Sequence, residues 1–108
     1  MKPLLLGLLV ITLLPAAPRK QKFKGSITDS MCARGDHSQM KMGENDAECT
    51  TACVLAHGAL YVLFDGKHTY TLSDQKTPEK LAGKKVTVTG TLNAKTSTIQ
   101  VESIIAAK

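Results

Sequence analysis

Leu60-Tyr61-Val62-Leu63-Phe64, then Asp65-Gly66, then Lys67-His68-Thr69-Tyr70-Thr71-Leu72 is the stretch on which the fold turns. Both flanks are rich in β-branched and aromatic residues that suit a pleated surface, and an Asp-Gly pair supplies the backbone angles of a tight hairpin turn. Downstream, Thr77-Pro78-Glu79-Lys80-Leu81-Ala82-Gly83 predicts a short helical turn, with Thr77 as its cap, Pro78 at its first position and Gly83 ending it. Lys85 to Leu92 and Thr98 to Ile104 then alternate apolar with polar residues about an Asn93 to Ser97 turn. They predict two strands whose buried face carries Val86, Val88, Ile99, Val101 and Ile104. Upstream, Phe23 to Thr28 alternates more loosely and reads as a first strand.

Between that strand and the hairpin, Asp29 to Glu44 is rich in Gly, Asp, Ser and Lys and has no periodic apolar face, which predicts a long loop. Asn45 follows as a helix N-cap with Glu48 at the reciprocal position, and the helix runs through Cys49, Ala52, Cys53, Leu55 and Ala56 to stop at Gly58. The resulting order is strand, loop with helix, strand, strand, helical turn, strand, strand. That is the order of the OB-fold, so the expected class is mainly β: a five-stranded OB-like Greek-key barrel over 23–108, with an insertion at 29–58 between strands 1 and 2.

A chain of 108 residues allows one such domain and excludes a multidomain enzyme. Leu4 to Leu14 is an eleven-residue apolar run, about 17 Å as a helix and half of a bilayer's hydrocarbon core, which matches a secretory signal peptide over 1–17. The expected localisation is therefore periplasmic or secreted. Pro15, Pro18 and the basic residues beyond them fit a cleavage site poorly, so an uncleaved anchor stands as the alternative, and a membrane is a partner only in that case. Residues 18–22 read as a flexible basic leader. With Arg19, Lys20, Lys22 and Lys24 near that leader, most of the +5 net charge lies outside the expected barrel, and only four aromatics are present. Nucleic acid is not an expected partner, because phosphate binding wants clustered cations and single strands want stacking rings.

The residues that could carry chemistry are Cys32, His37, Cys49 and Cys53, spaced Cys-x4-His and Cys-x3-Cys. Positions four apart on a helix share a face, so Cys49 and Cys53 can aim at one point, and Cys32 with His37 could complete a tetrahedron. Three sulfurs and one imidazole suit Zn²⁺ or Cu(I) in a closed, structural shell. The competing reading is a disulfide with one thiol left over, which in an oxidising compartment would staple loop to helix. Cys49, Cys53 and His57 also form Cys-x3-Cys-x3-His, similar to the loop of the dinuclear copper centre in cytochrome oxidase subunit two. Leu60 stands where that loop has Met, and a continuous helix would separate Cys49 from His57 by about 12 Å. The Cys-x-x-Cys spacing of thiol oxidoreductases is absent, as are hydrolase and phosphate-loop motifs. Asp29, Asp36, Glu44, Asp46 and Glu48 read as a solvated acidic loop, while Met31, Met40 and Met42 read as gap-filling residues or auxiliary copper donors.

From Gly25 to Ile104 the chain resembles a family of small, uncharacterised secreted bacterial proteins that pair an Asp-Ser-x-Cys segment and a downstream His with a later Cys-x-x-x-Cys. The matching residues here are Asp29, Ser30, Cys32, His37, Cys49 and Cys53. Leu81 to Leu92 and Ile99 to Ile104 likewise resemble the last two strands of exported bacterial OB-type domains. The resemblance implies the barrel but brings no activity with it. The expected function is that of a non-enzymatic exported module holding Zn or Cu through Cys32, His37, Cys49 and Cys53. The alternative is a disulfide-stapled module that presents Tyr61 and Tyr70 on a barrel face to a peptide, a glycan or an envelope protein.

Overall fold

Alternating side chains give each strand one face that must leave water, and the computed structural model, which describes residues 19–33 and 45–107, meets that need by closing the sheet on itself. The strands are β1 (Lys20–Asp29), β2 (Tyr61–Phe64), β3 (Thr69–Leu72), β4 (Lys85–Asn93) and β5 (Thr98–Ala106), with one helix, α1 (Asp46–His57), between β1 and β2. Around the barrel the order is β1-β2-β3-β5-β4, and β4 pairs back onto β1. All neighbours are antiparallel except β3 and β5. The expected mainly β, five-stranded, OB-like barrel with a helix inserted after the first strand is the observed one.

The core consists of Ile27, Tyr61, Leu63, Leu72, Ala82, Val86, Val88 and Ile99, all buried, with Phe23, Leu81, Leu92, Val101 and Ile104 packed at its margin. Gly90 sits at the register shift between β4 and β5, where a side chain would run into the Gln100 carbonyl oxygen, so the close approach of the two strands demands glycine. Gly83, at φ 75°, lies 3.0 Å in the same sense from the Ala47 Cα, which lets the start of α1 rest against the turn entering β4.

Three local expectations are corrected. β1 begins at Lys20: Lys20, Gln21 and Lys22 pair with Thr91, Gly90 and Thr89, so much of the segment read as a flexible leader is strand. The nine residues of β4 offer backbone groups that need partners, and this pairing satisfies them. The hairpin turn is four residues wide rather than two, because the Asp65 carboxylate accepts from the backbone N–H of Lys67 (2.8 Å) and His68 (2.6 Å) and so caps a longer loop. Those bonds hold its carboxyl below the usual range. Finally, the turn at Thr77–Leu81 is a 3-10 helix with Lys76 rather than Thr77 at the cap position, and just before it the Asp74 Oδ1 accepts from the N–H groups of Lys76 (2.9 Å) and Thr77 (3.0 Å). The apolar run at Leu4 to Leu14, with the signal-peptide reading attached to it, lies outside the described residues.

Candidate thiol site

Two elements deliver the cysteines. At the end of β1, Asp29 turns its side chain back to accept from Met31 N (3.0 Å) and Cys32 N (2.9 Å), which starts a 3-10 helix at Ser30–Cys32. This helix is bolted to the barrel. Thr28 Oγ1 donates to the Cys32 carbonyl (3.0 Å), Thr69 Oγ1 donates to the Ala33 carbonyl (2.8 Å), and Ser30 exchanges bonds with Leu60 through its N–H (2.8 Å) and Oγ (3.0 Å). Cys32 is thereby fixed in place and 7% exposed.

The second element is α1, begun by Asn45, whose side chain accepts from Glu48 N, and ended by Gly58 at φ 67°. Its Cys49, Thr50 and Cys53 face inward and are buried, and Cys49 and Cys53 pack with Ala59 and Val54 in a small cluster apart from the barrel core. The regular helix excludes the dinuclear copper-loop reading, since it carries Cys49 and His57 two turns apart and leaves His57 exposed.

Cys49 and Cys53 share one small buried cluster, and Cys32 is near enough to act on it. The Cys53 thiol is pushed up to about 12, first by burial, then by the charge of Asp29 and by Cys49, which also bonds to it, and by Cys32. Each of those groups therefore lies close enough for its charge to be felt at Cys53. Asp29 belongs to the site as well. It is fully buried, not part of a solvated acidic loop, and its Oδ2 has no hydrogen-bond partner among the described residues. The Asp-Ser-x-Cys spacing held the signal: an Asp three residues before a Cys is placed to cap a turn and be drawn inside with it.

Of the four expected metal ligands, Cys49 and Cys53 pack together, Cys32 is buried near them on the turn after β1, and His37 lies outside the described residues, as do Met40 and Met42. Among the described residues no disulfide joins two of the cysteines, and no three His, Cys, Asp or Glu side chains are already arranged to grip a metal ion. The aromatic face expected of a binding module is not presented. Tyr61 is 2% exposed, its hydroxyl buried beside the Thr51 side chain, and Tyr70 is half-buried against Phe23 with ring centroids 5.5 Å apart.

No curated protein and no solved structure matches the chain. A family described as a protein of unknown function, DUF5818, matches residues 56–107. That span takes in β2 to β5 and only the last residues of α1, so the likeness is to four of the five barrel strands and stops short of β1 and all three cysteines.

Proposed function

We propose that this chain is a non-enzymatic, exported barrel module that holds a soft transition-metal ion, Zn²⁺ or Cu(I), on Cys32, Cys49 and Cys53, with His37 as the fourth donor. The observation that carries the reading is the burial of Cys49 and Cys53 in one cluster on α1, with Cys32 and Asp29 buried near enough to raise the Cys53 thiol. Two of the sulfurs project from successive turns of α1 and the third from a rigidly bonded turn. Soft thiolates select these metals, and a closed shell of four protein donors leaves no position for a substrate. A buried thiol raised this far gives up its proton only to a strong competitor, so uptake of the ion releases protons and strengthens as pH rises.

The test is titration of the reduced full chain with Zn²⁺, and with Co²⁺ as a coloured substitute, read by sulfur-to-metal absorption and proton release. One ion per chain is expected, lost in Cys49→Ser and Cys53→Ser and weakened in His37→Ala. Protein purified with no metal, one disulfide and one remaining thiol would overturn the reading and favour the stapled module.

A further inference from the structure

The placement of Lys20 to Lys24 in β1 moves positive charge from an expected leader onto the barrel wall. Phe23 and Ile27 of β1 face the core, so Lys20, Lys22, Lys24 and Ser26 form the outward row. The register sets them opposite Thr91, Thr89, Thr87 and Lys85 of β4. Lys20 is held by Glu102 at 2.9 Å, whereas Lys22, Lys24 and Lys85 are exposed and make no ion pair among the described residues. Beside them, Ile105 pairs with Thr87 and is 64% exposed, an aliphatic side chain standing in water on the same face.

At one end of this face a cavity of about 570 Å³ opens between the β2–β3 turn and the end of β5. Lys24, Lys85, Ser26 and Thr87 contribute polar groups, Phe64 and Val86 apolar ones, and Asp65 a carboxylate at the turn edge that is already engaged by the N–H groups of Lys67 and His68. Cations and hydroxyls next to exposed aliphatic surface match a ligand with anionic oxygens at one end and hydrocarbon at the other. A nucleic-acid strand fits less well: Phe23 and Tyr70 are engaged with each other, and no ring stands out on this face for a base to stack on. Position in the chain adds a separate argument, since β1 starts at Lys20, within a few residues of the apolar run that ends at Leu14. Basic residues directly following an apolar segment lie at the height of lipid headgroups whenever that segment is in a bilayer.

We propose that the outer face of β1 and β4 is a docking surface for an anionic phospholipid membrane, with Lys22, Lys24 and Lys85 binding headgroup phosphates, Ile105 entering the acyl boundary, and the neighbouring cavity receiving one headgroup. This surface is independent of the thiol site, and metal loading leaves it unchanged.

The experiment compares sedimentation of the full chain with vesicles of phosphatidylcholine alone and of phosphatidylcholine mixed with phosphatidylglycerol. The apolar run contributes equally to both, so the ratio of the two affinities isolates the basic face. Each lysine near an anionic surface is worth about fivefold. Lys22→Gln, Lys24→Gln and Lys85→Gln together should therefore cut the ratio on the order of a hundredfold, while Lys95→Gln, in the β4–β5 turn, leaves it within about twofold. Raising the salt concentration should collapse the wild-type ratio, a readout that needs no variant to fold. A wild-type ratio near one, or a folded triple variant that keeps the wild-type ratio, would overturn the proposal. So would soluble glycerophosphate or a sulfated polysaccharide binding the face as tightly as the anionic vesicles, because the ligand would then be the anion alone.

Discussion

Ionisation of Cys53 offers the sharpest check on the thiol compartment. Burial, the Asp29 charge and the neighbouring cysteines move its thiol from an ordinary 9.0 to about 12, which lowers its thiolate fraction at neutral pH about a thousandfold. Alkylation follows the thiolate, so Cys53 in the native, metal-stripped and reduced protein should react with iodoacetamide about a thousandfold more slowly than in the chain unfolded by urea. Peptide mass spectrometry of timed samples reads this at one position. Stability should change in a matching direction. The native state retains a proton that the unfolded chain gives up above pH 9, so the contribution is complete below 9 and is lost as pH climbs toward 12, by about 1.4 kcal/mol per pH unit. Urea denaturation above pH 9 should show a loss steeper by about that slope in the wild type than in Cys53→Ala, which keeps only the alkaline contribution of the raised Tyr61 and Tyr70 hydroxyls. Native alkylation of Cys53 within about tenfold of the unfolded rate would refute the buried, charge-coupled site.

Asp29→Ala should lose about 1–2 kcal/mol in urea denaturation, since the N–H groups of Met31 and Cys32 lose their acceptor, whereas Asp29→Asn keeps an acceptor, costs less, and speeds Cys53 alkylation by removing a nearby charge. Gly90→Ala should cost about 3 kcal/mol or prevent closure, because the added carbon meets the Gln100 carbonyl and lies 2.8 Å from Ile99 Cγ2; a thermal melt unchanged from wild type would contradict the observed register. Tyr61→Phe removes a buried hydroxyl that makes no hydrogen bond of ordinary geometry among the described residues, with Thr51 beside it, so its melting temperature should match or exceed the wild type, and a loss above about 1 kcal/mol would show that Thr51 holds the hydroxyl.

Much of the fold was legible because it is written in local chemistry. The alternation from Lys85 to Leu92 placed Val86 and Val88 in the core, and the pairing of Asn45 with Gly58 bounded α1 to within a residue. Other features depended on partners distant in the chain. Lys20 to Lys22 have no apolar alternation of their own, and only the unpaired backbone of β4 makes them strand. The width of the β2–β3 turn followed from where the Asp65 carboxylate could reach, which the Asp-Gly pair does not state.

The candidate site divides along the same line. Spacing alone was enough to put Cys49 and Cys53 on one helix face, because a helix repeats every 3.6 residues whatever surrounds it. That Cys32 and Asp29 lie near them, that Asp29 is buried rather than solvated, and that Tyr61 fills the core rather than facing a ligand were decided only by the folded chain. Burial and charge coupling are properties of what closes over a residue from other elements, and a single stretch of sequence specifies its own periodicity but not its cover.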